Sequence, residues 1–244
     1  EIEGIDIMLA IDVSTSMLAE DLKPNRLEAA KDVAAEFING RPNDNIGITL
    51  FAGETFTQCP LTVDHAVLLD MIHNIKCGLI EDGTAVGMGV ANAVTRLKDS
   101  KAKSKVVILL TDGTNNKGDI SPLTAAEIAK SFGIRVYTIG VGTNGMAPYP
   151  YPVGNTVQYI NMPVEIDEKT LTQIAGTTDG NYFRATSNSK LKEVYEEIDK
   201  LEKTKLNVKE YSKREEDYRW FALAAFLCVL LEVLLRNSIL KKIP

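Results

Sequence analysis

Ile5-Asp-Ile-Met-Leu-Ala-Ile-Asp12-Val-Ser14-Thr-Ser16 is the stretch from which the rest of the chain can be read. Ile7 to Ile11 is apolar at every position, so both faces of the strand it predicts must be covered. Such strands sit in the middle of parallel sheets flanked by helices. The run stops at Asp12, and hydroxyls follow at alternate positions, Ser14 and Ser16. Ligands of open α/β sheets gather beyond the carboxyl ends of the strands. One carboxylate and two hydroxyls on a tight loop there are hard oxygen donors, the class that Mg²⁺ prefers. The segment reads as half of a metal site.

The other half lies downstream. Lys105 to Thr111, Lys-Val-Val-Ile-Leu-Leu-Thr, repeats the buried-strand pattern and again stops at an acid, Asp112. Two such strands in a parallel sheet put both acids on one edge. Between them, Glu81-Asp82-Gly83-Thr84-Ala85 opens a helix and offers a third hydroxyl on Thr84. Asp12, Ser14, Ser16, Thr84 and Asp112 together supply two carboxylates and three neutral hydroxyls. Their charge balances one divalent cation, Mg²⁺ or in its place Mn²⁺ or Ca²⁺. Mg²⁺ retains water, and a carboxylate from a protein partner can displace one of those waters.

Strands and helices alternate along the intervening chain. Arg26 to Asn39 carries a helical stripe that ends at Gly40, and Ile46 to Phe51 is a second strand with Glu54 to Thr57 as its short hairpin partner. Helices are predicted around Val67–Ile75, Val86–Leu97, Pro122–Phe132, Leu171–Ala175 and Leu191–Leu201, with strands at Arg135–Gly140 and Tyr182–Arg184. This alternation requires a parallel sheet wound on both faces. Thr143 to Pro163 departs from it, with Pro148, Pro150, Pro152 and Pro163 among Tyr149, Tyr151 and Tyr159, and with Gly154-Asn155 as a hairpin turn. It leaves from the same sheet edge as the acids. Stiff tyrosine- and proline-bearing loops lose little entropy on binding, so these three tyrosines are read as a partner-recognition surface.

With 244 residues, 45% apolar and 25% charged, the chain holds one α/β domain and an appendage. A net charge of −6 without a basic patch excludes a general nucleic-acid binder. Three cysteines form no disulfide framework. The domain is expected over 1–203, followed by a charged stalk over 204–218, a transmembrane helix over 219–240 and a basic tail over 241–244. Trp220 to Leu235 is apolar on all faces apart from Glu232, with Tyr218 and Trp220 at one interface and Arg236, Lys241 and Lys242 at the other. Basic residues also precede the run, so they do not fix the side of the membrane on which the domain lies.

Competing chemistries lack parts. An aspartate-based phosphohydrolase built on Asp12 wants a second acid where Ser14 stands, and a lysine for which Lys105 or Lys117 has no strong spacing. A serine hydrolase needs a histidine base, and His65 and His73 fall in a helical region. Cys59, His65, His73 and Cys77 match no usual zinc spacing. Gly83, Gly87 and Gly89 lack the lysine of a phosphate loop and read as close helix packing.

Asp12-Val-Ser14-Thr-Ser16, then Thr84, then Thr-Asp112-Gly resembles the metal-ion-dependent adhesion site of von Willebrand factor A domains, a likeness covering about residues 4–202. It implies a Rossmann-like, doubly wound, mostly parallel six-stranded sheet with one short antiparallel edge strand. It also implies direct ligation by Ser14, Ser16 and Thr84, with Asp12 and Asp112 binding directly or through water, and adhesion rather than catalysis. A narrower likeness runs through Met17-Leu-Ala-Glu-Asp21-Leu-Lys-Pro24-Asn-Arg26-Leu-Glu-Ala-Ala-Lys31 and Phe51-Ala-Gly-Glu-Thr-Phe-Thr-Gln-Cys59-Pro-Leu. It is to BatA/BatB proteins of bacterial aerotolerance operons. It implies the bacterial cytoplasmic membrane, with a MoxR-type AAA+ ATPase and Bat paralogues as partners. The alternative is an assembly scaffold whose metal serves folding.

Overall fold

The computed structural model describes the backbone of residues 4–154, 156–212 and 218–238, with side chains described as far as 203 and again over 222–233 and at 235. It divides into two compact units, 1–202 and 203–244. In the first, six strands form one sheet. They are β1 (Asp6–Asp12), β2 (Asn45–Phe51), β3 (Thr55–Thr62), β4 (Lys105–Thr111), β5 (Arg135–Val141) and, last in the chain, β8 (Tyr182–Ala185). Their order is β3-β2-β1-β4-β5-β8, with β3 antiparallel and the others parallel. The two fully apolar strands β1 and β4 are central neighbours, as their two-sided apolar character demands.

Helices cover both faces. Alternation along β1 sends Met8 and Ala10 into one cluster with α3 (Val86–Leu97), α4 (Pro122–Ser131) and α5 (Glu168–Thr177). Ile7, Leu9 and Ile11, equally buried, point to the opposite face. There α1 (Arg26–Asn39) packs beside α2 (His65–His73) and α6 (Asn188–Ser212), with the Phe37 and Tyr195 rings 4.9 Å apart. Gly87 and Gly89 are indeed close-packing positions: a Cβ would fall 2.0 Å from the Ile120 carbonyl oxygen at Gly87 and 2.7 Å from the Phe51 ring at Gly89.

Two features differ from the sequence reading. The hairpin partner expected at Glu54–Thr57 extends to Thr62, because register shifts opposite Ile46–Thr49 let the strand bend past Pro60 on the sheet edge, where a missing N–H is tolerated. The expected transmembrane helix is not supported. A helix, α7, spans Tyr218–Ser238, but among the described residues no helix is long and apolar enough to cross a membrane. The first part of the expected stalk, 204–212, continues α6 as helix, whereas 213–217 and 239–244, the basic tail included, lie outside the described residues.

At the edge of the sheet opposite the acids, Glu202 on α6 is 1% exposed and accepts bonds from Ser104 Oγ (2.8 Å), Arg135 Nε (2.8 Å) and Nη2 (2.8 Å), and Tyr137 OH (2.6 Å). This buried acid fastens α6 to β4 and β5. Glu202→Ala strands the Arg135 charge in a half-buried site, and chemical denaturation should show a loss of about 3 kcal/mol. A loss below about 1 kcal/mol would show that α6 is held by packing alone.

Candidate metal centre

The parallel register of β1 and β4 continues to Ile11 opposite Leu110, which brings Asp12 beside Thr111 and leaves Asp112 just beyond the same edge. Thr111 Oγ1 donates to Asp12 Oδ2 at 2.6 Å, and the Ser14 amide donates to Asp12 Oδ1 at 2.9 Å. The loop then tightens into a 3₁₀ turn, Thr15–Leu18. That turn carries Ser16 round so that its Oγ lies 2.9 Å from Ser14 Oγ and donates to Asp112 Oδ1 at 2.7 Å. Thr84 stands at the entrance of α3, held by its amide on Asn116 Oδ1 at 2.9 Å and by its carbonyl on the Asn116 amide at 3.0 Å. Its Oγ1 lies 3.2 Å from where a Cβ on Gly113 would be, so the hydroxyl borders the residue after Asp112. All five residues picked out in the sequence therefore meet at one rim. Asp12, Ser14, Thr84 and Asp112 are buried, and Ser16 is half-buried.

The electrostatics are those of a site short of positive charge. Burial, and after it the neighbouring charge of Asp112, holds the Asp12 carboxyl well above the ordinary carboxylate value. Burial raises Asp112 as well, against the pull of Arg26. Arg26 is the residue that sequence reasoning missed as part of the centre. Its side chain is 4% exposed; Nη1 donates to Asp112 Oδ2 at 2.6 Å, while Nε and Nη2 fork onto Asp21 Oδ1 and Oδ2, both at 2.7 Å. Asp21 also accepts from the Thr143 amide (2.8 Å) and hydroxyl (3.2 Å). Three carboxylates against one guanidinium leave a net of two negative charges for a cation. Arg26 also holds one oxygen of Asp112, so that Oδ1 alone meets the serines. A signal was present: Arg26 opens α1, where the positive end of the helix dipole disfavours a cation. Such a placement asks for a specific partner.

Two further supports were missed. Asp82 accepts from the Thr15 amide (3.0 Å) and hydroxyl (2.8 Å), pinning the serine loop to the Thr84 loop. Cys77 Sγ lies 3.4 Å from the Ser14 carbonyl, with its thiol pushed up to about 12 by burial and then by Asp12. Among the described residues, no group of three or more His, Cys, Asp or Glu gathers as a metal site. His65 and His73 instead meet the carbonyls of Asp44 and Leu69. Lys105 begins β4, at the far end of the strand from Asp112, and Lys117 is paired with Glu81.

The Tyr–Pro segment forms a two-stranded ribbon, β6 (Met146–Val153) and β7 (Thr156–Pro163), which reverses at Gly154 with φ +61°. Asn155, the other expected turn residue, lies outside the described residues. The ribbon is moored by the Glu20 amide on the Pro148 carbonyl at 2.8 Å, and Arg184 Nη2 holds the Thr143 carbonyl at 2.8 Å. Between the ribbon and the serine loop is a cleft of about 270 Å³, lined by Ser16 and Arg26 on one side and Tyr149, Tyr151 and Met162 on the other. Tyr159 pairs across the ribbon with Pro150, on its other face, and its hydroxyl donates to Glu20 Oε1 at 2.9 Å.

Comparison with known proteins agrees with this architecture. The model of the von Willebrand factor type A domain family matches residues 6–197. BatB from Bacteroides thetaiotaomicron is 33% identical with a TM-score of 0.72, over 82% of this chain and 100% of that one. An aerotolerance-related membrane protein from Bacteroides fragilis is 33% identical with a TM-score of 0.70, over 81% and 100%. Proximal thread matrix protein 1 of the mussel byssus, solved with a zinc-occupied MIDAS motif, is 25% identical with a TM-score of 0.64, over 82% of this chain and 46% of that one. An uncharacterized protein of Borreliella burgdorferi is 27% identical over 98% of this chain, and a UPF0353 protein of Mycolicibacterium paratuberculosis is 30% identical over 78%. The chain spans 71% and 58% of the length of those two relatives.

The raised carboxyls fix a sign. Folded protein keeps protons on Asp12 and Asp112 that the unfolded chain has already released, so metal-free stability falls as pH rises through that interval. In EDTA the melting temperature should drop from about pH 5 to about pH 8, and saturating Mg²⁺ should flatten the profile. A metal-free profile that rises over this range would contradict the assignment. Removing the Arg26 clamp together with its counter-charge, as Arg26→Met with Asp21→Asn, frees the second oxygen of Asp112. Calorimetry should then show Ca²⁺, which takes bidentate carboxylates, gaining about 10-fold on Mg²⁺. An unchanged ratio would show that Arg26 is structural only.

Proposed function

The chain belongs to the von Willebrand factor type A domain family, and on that premise we propose that it binds Mg²⁺ through Ser14, Ser16, Thr84, Asp12 and Asp112 to capture an acidic side chain of a protein partner. The donor spacing is the observation that carries the reading. Adjacent ligands of an octahedral Mg²⁺ with bonds of 2.0–2.1 Å are separated by about 2.9 Å. Ser14 Oγ and Ser16 Oγ are 2.9 Å apart, and Ser16 Oγ and Asp112 Oδ1 are 2.7 Å apart. Hydrogen bonds now hold these oxygens at the separations a cation would require. The zinc-occupied motif of the mussel protein supports a divalent ion in the equivalent fold.

Recognition is adhesion rather than turnover, since among the described residues neither histidine stands at the site to act as a base. Tyr149 and Tyr151 supply an aromatic wall that receives the residues flanking the partner's acid, and Tyr159 braces that wall through Glu20. In this proposal the partners are Bat paralogues and a MoxR-type AAA+ ATPase; the two Bacteroides relatives support only the link to aerotolerance. The chain acts at the bacterial cytoplasmic membrane. The apolar side chains of Leu223, Phe226, Leu227, Leu230 and Leu231, all exposed on α7, support membrane association.

Asp12→Ala should weaken Mg²⁺ binding by at least about 10-fold in calorimetry, or about 1.4 kcal/mol; equal affinities would refute the site. Capture from native membranes should be lost both in EDTA and on Tyr149→Ala with Tyr151→Ala, the latter with Mg²⁺ affinity retained. Capture that survives chelation while EDTA lowers the melting temperature would instead favour a scaffold whose metal serves folding.

A further inference from the structure

The ribbon β6–β7 is a sheet of two strands, so each strand pairs on one edge only. The two outer edges are treated differently. The Val164 amide donates to the Gly145 carbonyl at 2.8 Å, which makes 145 and 164 a hydrogen-bonded pair. Counting by twos along the register, 147/162, 149/160, 151/158 and 153/156 are also hydrogen-bonded pairs, and the residues between them turn their backbone groups outward. On β6 those outward positions are 148, 150 and 152, and all three are proline. Proline has no N–H to offer, and the Pro148 carbonyl is already taken by Glu20. That edge is closed.

On β7 the outward positions are Val157, Tyr159 and Asn161, each with an N–H and a carbonyl, followed by Pro163. Every residue of β7 is exposed. Edge strands are ordinarily defended by charge, proline, bulges or brevity. β7 is eight residues long, pairs without a bulge and carries no charge. From Thr143 to Val164 there is not one Asp, Glu, Lys or Arg, in a chain where these make up 25% of residues. One edge of the ribbon is blocked three times over, and the other is left open.

We propose that β7 pairs antiparallel with β7 of a second copy of this chain across a two-fold axis at Tyr159, joining two ribbons into one four-stranded sheet. Two arguments favour this occupant. Two copies of a chain of net charge −6 repel one another, and β7 lies in the uncharged stretch 143–164, where they can approach without setting like charges side by side. The outward groups are also symmetric about Tyr159. Tyr159 faces Tyr159 of the second copy, Val157 faces Asn161, and Asn161 faces Val157, giving about six inter-chain backbone bonds in an isologous contact. The cleft face, with Tyr149, Tyr151 and Met162, stays free in this arrangement, so the pairing is independent of the metal centre.

Sedimentation velocity of the full chain in detergent, run over a concentration series, tests it. Wild type should show a monomer–dimer equilibrium. Val157→Pro and Asn161→Pro, which remove outward N–H groups and leave the bonds to β6 in place, should each weaken it at least about 10-fold. Tyr159→Lys and Tyr159→Glu should each be monomeric, and an equimolar mixture of the two should dimerise again. The rescue keeps the test sound if proline distorts the ribbon. A wild type that stays monomeric at every concentration, a dimer indifferent to the proline variants, or a mixture that fails to associate overturns the proposal. The first of these outcomes would leave the edge to a foreign strand.

Discussion

Two carboxylates buried side by side at the end of a parallel sheet are the constraint around which this molecule is arranged. Neither Asp12 nor Asp112 has water to solvate it, and each raises the cost of ionising the other. The protein answers with short bonds from its own loops: Thr111 and the Ser14 amide on Asp12, Ser16 and Arg26 on Asp112. Those bonds organise the oxygens without neutralising them. On the function proposed, a divalent cation would supply what hydrogen bonds cannot, and the net of two negative charges around the centre would match it.

Arg26 extends this logic away from the rim. A lone guanidinium at Asp112 would cancel the charge that a metal needs, so its presence makes sense only with Asp21 gripping its other side. Asp21 in turn holds Thr143, at the root of the ribbon. One buried ion-pair chain therefore sets both how Asp112 presents itself and where the aromatic wall of the cleft begins. Buried ion pairs are weak contributors to stability and strong contributors to geometry when they fix register, and here the geometry joins a binding centre to its neighbouring surface.

The ribbon shows how proline can act by subtraction. Its three prolines on β6 remove donors from one edge and leave the ladder with β7 intact, because their spacing of two matches the pleat. Read as composition, Tyr149-Pro-Tyr151-Pro suggests a stiff loop. Placed in register, it separates a closed edge, an open edge and two faces, with Tyr149 and Tyr151 on one face and Tyr159 on the other.

Much was legible in the chain itself. The two-sided apolar runs at 7–11 and 106–110 determined a central parallel pair, and acids ending both runs determined a shared edge, because strand direction and burial are local properties of the pattern. Helix α1 was bounded correctly by its stripe and Gly40; its Asn25 cap emerged only in the folded chain. Other features needed the folded molecule. β3 outran its predicted end because cross-strand pairing, not propensity, decides where an edge strand stops. Thr111, Asp82 and Asn116 became supports only when loops distant in sequence met. Arg26 could be noticed at a helix start from sequence, but its partners at 21 and 112 belong to different loops. Sequence fixes which donors exist and on which edge they fall; only tertiary contact decides which oxygen each donor takes, since a hydrogen bond depends on angstroms that no spacing rule supplies.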